Sequence, residues 1–398
     1  MEKLTLRDLD LAGKHVLMRV DFNVPLDEKG EVADDTRIRG SLPSIQYIID
    51  KKAKLILLSH LGRPDGKVVE KYRLTPVARR LSQLLGRDVL KADDCLGPEV
   101  ERRVAQLQVG QVLILENVRF YPEEEKNDPG FAKQLACLGD LFVNDAFGTA
   151  HRAHASTEGV AHFLPSAAGF LMEKEIRYLG QVLSNPRRPF AAILGGAKVS
   201  DKIGVIDRLM SKVDLILIGG GMAYTFLKAQ GIPIGKSKLE ADKVDLAKQI
   251  LDRARVHGVE ILLPEDHVIV ETIDPSAKVE VKRGGIPDGW IGVDIGPKTA
   301  EIFCKRLRGV KTILWNGPLG IFEMEPFSHG SRQVAVSLGG ADVVTIIGGG
   351  DTAACIAKFG LESKMTHIST GGGASLEFLE GKVLPGIAAL TDKGAVRV

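Results

Sequence analysis

The sequence has few of the features that mark secreted, membrane or metal-cluster proteins. It has only four cysteines, no two of them in a CxxC pair, at Cys95, Cys137, Cys304 and Cys355. This scatter excludes a visible zinc cluster or redox motif and suits a reducing compartment. The charged start MEKLTLRDLDLAGKHV lacks the apolar segment of a signal peptide, and no apolar run approaches the roughly 20 residues of a membrane helix. We therefore expect a cytoplasmic protein.

The chain also lacks a strong charge bias and two common nucleotide motifs. A formal net charge of +2 over 398 residues gives no global attraction to nucleic acid or to a membrane surface. The segment GIPIGKS (231–237) has three residues between its glycines where a Walker A loop has four, and it follows a helix-like segment. No GxGxxG occurs in strand-to-helix context, which weakens a dehydrogenase interpretation.

Short runs rich in Val, Ile and Leu alternate with longer amphipathic segments along the chain. Such runs, bounded by Gly, Asp or Asn, are typical of parallel strands buried on both faces. Ten runs cover 14–20, 54–58, 111–116, 141–145, 190–194, 214–218, 259–263, 311–315, 342–347 and 366–370, and helix-like segments include 76–85, 241–256 and 331–338. The alternation predicts βαβ units, and therefore an α/β fold with doubly wound, Rossmann-like parallel sheets.

The length of the chain and the spacing of the runs predict two domains. A single hydrophobic core stops growing at roughly 250–300 residues. The runs divide into those before residue 170 and those after 188, and the helix-like segment between them ends at Pro186 and Pro189. We predict a first domain over 1–170, an interdomain helix and hinge over 171–188, a second domain over 189–384, and a tail over 385–398 that could fold back on either domain.

Basic and polar side chains follow the predicted strands of the first half, where ligands of open parallel sheets bind. These residues are Asp21, Asn23, His60, Arg63, Arg119, His151, Arg152 and His154, with Arg37 at the start of the helix after the first loop. Arginine binds carboxylate and phosphate bidentately, so the cluster predicts a small ligand with two or more negative groups. For any single arginine, the alternative interpretation is an ordinary surface residue that binds no ligand.

Glycine clusters end four apolar runs of the second half. They are ILGGAK (193–198), LIGGGM (217–222), IIGGGD (346–351) and STGGGA (369–374). At a strand-to-helix turn, glycine lets backbone N–H groups approach a phosphate, and the helix N-terminus favours its charge. Tight packing is the alternative for one cluster, but four on one sheet edge predict a phosphate-binding surface.

Charged residues beside these clusters fit a magnesium nucleotide. Lys198 and Lys202 lie four residues apart at a helix start, and therefore on one face. Asp351 follows the third glycine triplet and is a candidate Mg²⁺ ligand, a role compatible with capping a helix. Glu323 lies a short loop beyond a strand, where an acidic residue suits a ribose hydroxyl.

Taken together, these motifs resemble the phosphoglycerate kinase family. The resemblance covers the whole chain. The matching stretches are DFNVP (21–25), SHLGRP (59–64), LENVRF (115–120), NDAFGTAHRAH (144–154), GGAKVSDKI (195–203), WNGPLGIFE (315–323), GGGDTAA (348–354) and STGGGASLEFLEGKVLPG (369–386).

The resemblance implies the reaction 1,3-bisphosphoglycerate + ADP ⇌ 3-phosphoglycerate + ATP in glycolysis and its reverse, carried out by a monomer that needs Mg²⁺. It implies that phosphoglycerate binds to Asp21, Asn23, Arg37, His60, Arg63, Arg119 and Arg152. It implies that the nucleotide binds to Lys202, Gly292, Glu323, Gly349, Gly350, Asp351 and Thr352, with Mg²⁺ held by Asp351 through the phosphates. Arg37, Lys198, Gly372 and Gly373 look like the catalytic groups that meet the transferring phosphoryl.

This chemistry needs positioning and positive charge, because the acceptor carboxylate is already ionised at pH 7 and no general base is required. The two half-sites are predicted on different domains, so we expect hinge closure around 169–189 to bring the reacting atoms within roughly 3–3.5 Å. Two alternatives stay open at this point. One is an NAD-dependent dehydrogenase, and the other is a non-catalytic protein that binds a phosphorylated acid. The second would not need Lys198, Lys202 and Asp351.

Overall fold

Three β-sheets organise the residues that the computed structural model describes, 3–339 and 342–394. The strands are β1 (His15–Arg19), β2 (Lys54–Leu58), β3 (Val89–Lys91), β4 (Val112–Ile114), β5 (Leu141–Asn144), β6 (Ser166–Ala168), β7 (Phe190–Leu194), β8 (Leu215–Ile218), β9 (Glu260–Leu262), β10 (Asp266–Val270), β11 (Glu280–Arg283), β12 (Ile291–Ile295), β13 (Thr312–Asn316), β14 (Val344–Gly348) and β15 (His367–Ile368). The α-helices are α1 (Thr36–Asp50), α2 (Thr75–Leu85), α3 (Pro98–Gln106), α4 (Pro122–Glu125), α5 (Pro129–Ala136), α6 (Phe170–Ser184), α7 (Ile203–Leu209), α8 (Met222–Ala229), α9 (Val244–Val256), α10 (Pro297–Leu307), α11 (His329–Ser337), α12 (Gly350–Lys358), α13 (Gly373–Leu379) and α14 (Pro385–Ala388).

The described residues separate into two units. The first contains the chain up to Arg177 together with the residues from Val383 onward, and the second contains Tyr178–Lys382. The boundary at 177/178 lies inside α6 and inside the segment 171–188 that the sequence predicts as a linker. The end of the chain joins the first unit through Gly386, whose N–H donates to Ala150 O at 2.9 Å and whose carbonyl accepts from Asn144 Nδ2 at 3.1 Å.

A six-stranded parallel sheet, with strand order β3-β4-β2-β1-β5-β6, forms the centre of the first unit. Side chains of successive strand residues point to opposite faces, and both faces are covered. Leu17 and Ile56 are paired in register and pack in one core, whereas their neighbours Met18 and Leu57 pack in the other. Burial on both faces explains why these strands read as continuous apolar runs.

A second six-stranded parallel sheet, with strand order β15-β14-β13-β7-β8-β9, forms the centre of the second unit. Asn316 at the end of β13 pairs in register with Leu194 of β7 and Gly348 of β14. Three neighbouring strands therefore end at the same level, and the glycine-rich loops that follow them emerge side by side. This register sets the position of the cleft described below.

The prediction of an α/β fold with doubly wound parallel sheets is confirmed. Each of the ten apolar runs overlaps a strand, and the segments 76–85, 241–256 and 331–338 overlap α2, α9 and α11. The sequence did not predict β3 and β6, which are three residues long, or an antiparallel sheet of order β11-β10-β12 in the second unit. Among the described residues, no helix is long and apolar enough to cross a bilayer.

Candidate active site in two parts

Loops at the carboxyl ends of the first sheet hold the predicted anion-binding residues. Asp21 and Asn23 follow β1, His60 and Arg63 follow β2, Arg119 lies in a turn after β4, and Arg152 follows β5. Because the strands are parallel, these loops emerge at one edge of the sheet. We call the residues Asp21, Asn23, Arg37, His60, Arg63, Arg119 and Arg152 the basic cluster.

Arg37 is held at this edge by Asp21. Its position as the second residue of α1 brings Nη1 within 2.6 Å of Asp21 Oδ2. The Asp21 side chain is 10% exposed and that of Arg37 is 38% exposed. The carboxylate therefore anchors one side of the guanidinium while more than a third of the side chain stays accessible to a ligand.

Gly62 joins two further members of the basic cluster. Its N–H donates to Asn23 Oδ1 at 2.9 Å, and its carbonyl accepts from Arg119 Nη1 at 3.1 Å. The backbone at Gly62 has a φ of +64°, and a Cβ there would collide with the Tyr72 ring. This glycine therefore allows the loop that carries His60 and Arg63 to pack against both partners. Arg63 itself is exposed.

Burial and neighbouring cations lower the pKa of two histidines in this region, His60 and His154. Burial lowers the pKa of His60 well below its usual value, and the charges of Arg19, Arg119 and Arg37 lower it further. Burial and the charges of Arg119, Arg19 and Arg152 lower the pKa of His154 to about 4. The two imidazoles therefore lie close enough to several guanidinium groups for those charges to lower their pKa values. Three nearby carboxylates compensate part of the charge, namely Asp21, Glu124 and Glu125.

Sequence reasoning missed a buried polar chain behind the basic cluster. Arg19, the last residue of β1, is completely buried, and its Nε donates to Ser156 Oγ at 2.8 Å. The Ser156 hydroxyl donates in turn to Glu124 Oε1 at 2.6 Å. The apolar run 14–20 places Arg19 in a strand. A charged residue in a strand that is buried on both faces needs hydrogen-bond or charge partners. An arginine within an apolar run is therefore the sequence signal that buried hydrogen-bond partners exist.

A cleft of about 560 Å³ lies at the carboxyl edge of the second sheet. It brings together most of the residues predicted to bind nucleotide or to act on the phosphoryl group. These residues are Lys198, Lys202, Gly349, Gly350, Asp351, Thr352, Gly372 and Gly373. Asp201, Asn316, Gly317 and Glu380 also line it. Residues from three of the four glycine clusters therefore share one surface.

Lys202 and Asn316 form a buried polar pair in this cleft. Lys202 Nζ donates to Asn316 Oδ1. Burial lowers the pKa of Lys202, while Asp201 and Asp351 oppose that shift. Within the described residues, the fully buried Asn316 Nδ2 has no hydrogen-bond acceptor. An unpaired buried donor is costly, so a ligand oxygen is a suitable partner for it. Asn316 lies in the matching stretch 315–323, but its residue type and spacing alone do not indicate this role.

Two glycines of the cleft, Gly350 and Gly372, differ from those of the second cluster. A Cβ on Gly350 or Gly372 would meet nothing within 4 Å, so packing does not require glycine there. A Cβ on Gly220 would lie 2.7 Å from Gly196 N, and Gly220 does not line the cleft. Tight packing therefore explains the second cluster, whereas Gly350 and Gly372 have open space beside their Cα atoms and line the cleft.

Two predicted nucleotide ligands do not line this cleft. Gly292 lies in β12 of the antiparallel sheet, where its N–H donates to Ser237 Oγ at 2.9 Å and a Cβ would collide with the Tyr224 hydroxyl. Glu323 is exposed in the loop after β13, where its carbonyl accepts from Lys358 Nζ at 2.9 Å. Their assignment to nucleotide binding stays a prediction.

The donor set fits a magnesium ion that a nucleotide would carry with it. Asp351 is exposed in the first turn of α12 and lines the cleft with the two lysines. Across residues 3–339 and 342–394, no group of three or more His, Cys, Asp or Glu side chains could hold a metal. Mg²⁺ commonly binds through one or two carboxylates plus substrate phosphates, and a single Asp351 carboxylate matches that pattern.

Known proteins resemble this chain over nearly its full length. The phosphoglycerate kinase family profile matches residues 6–382. The phosphoglycerate kinases of Moorella thermoacetica and Pelotomaculum thermopropionicum are 60% and 59% identical over 394 residues, covering 99% of this chain and 100% of each relative.

Solved structures give the same result. The phosphoglycerate kinase of Coxiella burnetii matches with a TM-score of 0.90 and 42% identity over 99% of this chain and 100% of that one. That of Pyrococcus horikoshii OT3 matches with a TM-score of 0.85 and 35% identity, covering 97% and 98% of the two chains. These matches exclude the dehydrogenase and the non-catalytic binding protein. The chain belongs to the phosphoglycerate kinase family, and it is a glycolytic enzyme that transfers a phosphoryl group between 1,3-bisphosphoglycerate and ADP.

Proposed function

We propose that the two units bind different substrates. In this proposal the basic cluster of the first unit binds 3-phosphoglycerate or 1,3-bisphosphoglycerate. The second unit binds ADP or ATP through Lys202, Gly292, Glu323 and the turn Gly349–Thr352. The observation that carries the proposal is the contrast between the two regions. One has guanidinium groups around neutral imidazoles, and the other has lysines and open glycine amides at helix starts.

The basic cluster suits a small acid with a phosphate and a carboxylate. Arginine side chains bind both groups through parallel N–H bonds, and Asp21 and Asn23 supply acceptor oxygens for a hydroxyl. The cations around His60 and His154 would repel an imidazolium, which favours neutral rings. An anionic ligand would supply the negative charge that Asp21, Glu124 and Glu125 supply only in part.

Four groups are proposed to act on the transferring phosphoryl. They are Arg37, Lys198 and the backbone N–H groups of Gly372 and Gly373. Charge spreads over the three equatorial oxygens in the transition state, so positioned cations and amides stabilise it more than the ground state. Removing one such donor commonly costs ~10²–10³ in rate. The acceptor carboxylate attacks in its ionised form, and no side chain has to remove a proton.

Asp351 is proposed to hold Mg²⁺ together with the nucleotide phosphates. When bound, the ion neutralises phosphate charge and orients the β- and γ-phosphoryl groups. Lys202 contributes a cation on the same side of the cleft, and its bond to Asn316 fixes the position of its amine.

Transfer between two units requires a change that brings both substrates together. We propose hinge closure in the segment 171–188, which contains most of α6, in a monomer that works in the cytoplasm. Small-angle scattering should show a smaller radius of gyration with both substrates than with either one alone. An unchanged radius would count against closure and would leave the assignment of substrates to units intact.

Paired variants test the division of substrates between the units. We expect Arg119→Ala to raise KM for 3-phosphoglycerate by roughly 10–100-fold, as for loss of a charged hydrogen bond, with little effect on KM for ATP. We expect Lys202→Ala to raise KM for ATP, with little effect on KM for 3-phosphoglycerate. Arg102→Ala is the matched control, because Arg102 is exposed and pairs with Glu99 on the same helix. Nucleotide affinity lost in Arg119→Ala with 3-phosphoglycerate affinity retained would contradict the proposal.

A further inference from the structure

Arg19 makes an unusual set of contacts for an arginine in a central strand. Its side chain is 0% exposed. Nε donates to Ser156 Oγ, Nη1 donates to the Val20 carbonyl, and Nη2 lies 3.1 Å from His60 Nδ1. Each nitrogen of the guanidinium therefore has a defined partner, and one partner is a residue of the basic cluster.

The contact with His60 determines where the imidazole carries its proton. A guanidinium has five N–H donors and no acceptor, and it stays protonated in proteins. His60 Nδ1 must therefore accept the bond with its lone pair. A neutral imidazole that accepts at one nitrogen carries its hydrogen on the other, which here is Nε2.

We propose that Arg19 is a positioning residue that fixes His60 as the Nε2–H tautomer, so that this histidine offers a hydrogen-bond donor to the anionic substrate. The inference rests on the proposed role of the basic cluster in phosphoglycerate binding. It adds a residue that does not touch the substrate and states the form in which His60 acts.

The tautomer decides whether His60 attracts or repels the substrate. With hydrogen on Nε2, the ring donates to a phosphate or carboxylate oxygen. With hydrogen on Nδ1, the ring would direct an N–H at the Arg19 guanidinium and a lone pair at the anion. Both contacts would be repulsive, and the first would leave the buried Arg19 Nη2 and His60 Nδ1 without hydrogen-bond partners.

The surroundings of His60 exclude the third form, the imidazolium. Arg19, Arg119 and Arg37 are cations that disfavour a further positive charge on this ring, and His154 acts in the same direction only when it is itself protonated. His60 is 3% exposed, so water contributes little to stabilising a charged ring.

Arg19 is itself held in place from behind. The Ser156 hydroxyl that accepts from Arg19 Nε donates to Glu124, and the Ser156 N–H donates to the same carboxylate at 2.8 Å. Glu124 is fully buried, and its negative charge offsets the positive charge of Arg19. The hydrogen bonds run from Glu124 through Ser156 and Arg19 to His60. They hold the buried Arg19 guanidinium in one position.

Nitrogen NMR of the full-length protein labelled with ¹⁵N-histidine tests the proposal. The His60→Gln variant identifies the His60 signals by their loss. We expect a protonated Nε2 and an unprotonated Nδ1, in a pattern that does not change between pH 5.5 and 8. A protonated Nδ1, or an imidazolium in this range, would overturn the proposal. This measurement uses no variant of Arg19, so it decides the tautomer even if variants of Arg19 fail to fold.

The Arg19→Lys variant tests the role of Arg19 directly, because it keeps a cation beside Glu124 but removes the guanidinium fork. We expect mixed tautomer signals from His60 and a rise of roughly tenfold in KM for 3-phosphoglycerate. Arg39→Lys, at an exposed residue paired with Asp35, is the matched control and should leave the His60 signals unchanged. A single Nε2–H pattern in Arg19→Lys would overturn the role of Arg19.

Adding 3-phosphoglycerate separates this inference from the function on which it rests. A shift of the His60 Nε2 signal upon addition supports both. An Nε2–H tautomer that does not respond to saturating 3-phosphoglycerate would contradict the assignment of His60 to substrate binding while supporting the tautomer.

Discussion

The Glu240 carboxylate binds Ser200 twice, accepting from its N–H at 3.1 Å and from its hydroxyl at 2.5 Å. The same carboxylate accepts from the Val199 N–H at 2.5 Å. These bonds fix the short segment between Lys198 and Lys202, the two lysines of the cleft. Glu240 lies 38 residues beyond Lys202 in the sequence, so the relationship is visible only in the structure.

Loss of this clamp is expected to impair catalysis more than binding. Glu240→Ala should lower kcat by roughly tenfold, because Lys198 loses its fixed position while Lys202 is still held by Asn316. Steady-state kinetics with varied ATP separates kcat from KM. Asp242→Ala is a suitable control, since Asp242 is exposed and pairs with its neighbour Lys243. A rate equal to that of the unmodified enzyme would show that Lys198 does not depend on the clamp.

The Lys202–Asn316 pair predicts a graded loss of nucleotide affinity. Asn316→Ala removes the acceptor of a buried lysine and a candidate phosphate donor, and we expect ADP to bind roughly tenfold more weakly. Asn316→Asp keeps the partner of Lys202 but adds a negative charge beside the phosphates, so it should weaken ADP binding further. Titration calorimetry measures both. Equal ADP affinity in Asn316→Asp and in the unmodified protein would exclude Asn316 from the phosphate site.

Asp351 gives a prediction for magnesium. Asp351→Ala should reduce the increase in ADP affinity that Mg²⁺ produces, because the carboxylate no longer contributes to holding the ion. Calorimetry with Mg²⁺ and with EDTA gives that increase for each protein. The control is Asp207→Ala, on the exposed side of α7, where the carboxylate pairs with Arg253. If the magnesium effect persists in full, Asp351 acts only as the first-turn residue of α12.

The buried histidines predict acid sensitivity. Burial lowers the pKa of His267 to about 4, whereas the unfolded chain has the usual value near 6.5. The unfolded state binds more protons between these values, so the free energy of unfolding falls as the pH drops from 6.5 towards 4. At pH 5 this group alone should cost about 2 kcal/mol relative to pH 7.5.

Urea unfolding at the two pH values measures this effect, and the signal of the second unit is the relevant one because a two-unit protein need not unfold in one step. His267→Gln should reduce the loss of stability at pH 5. The exposed His257, which bonds to the Arg253 carbonyl, is the control for substitution by Gln. Identical pH dependence in the two variants would contradict a neutral, buried His267.

The sequence was sufficient for ten of the twelve strands of the parallel sheets, because burial on both faces produces continuous apolar runs. Leu17 and Met18 pack in different cores, so neither position could be polar. The antiparallel sheet escaped prediction for the opposite reason. Its edge strand β11 is largely exposed and carries charged side chains, which weakens the apolar signal.

The residues proposed to bind ligands were easier to predict than the residues that hold those side chains in position. Arg119 and Lys202 stand in loops after strands, where position alone indicates a site. Arg19 and Glu240 act through other residues, and their partners Ser156 and Ser200 are far away in sequence. Gly220 shows the limit of motif reasoning, because its triplet looks like that of Gly349 but serves packing.

The central claim is that each unit binds its own substrate, and hydrogen exchange measured by mass spectrometry tests it most directly. With 3-phosphoglycerate alone, we predict slower exchange in peptides covering 20–25, 58–64, 117–121 and 150–154, and no change in 195–203, 348–353 and 371–374. With Mg-ADP alone, we predict slower exchange in 195–203, 348–353 and 371–374, and no change in the other four peptides. Protection of the 348–353 peptide by 3-phosphoglycerate, with 58–64 and 117–121 unchanged, would contradict the account.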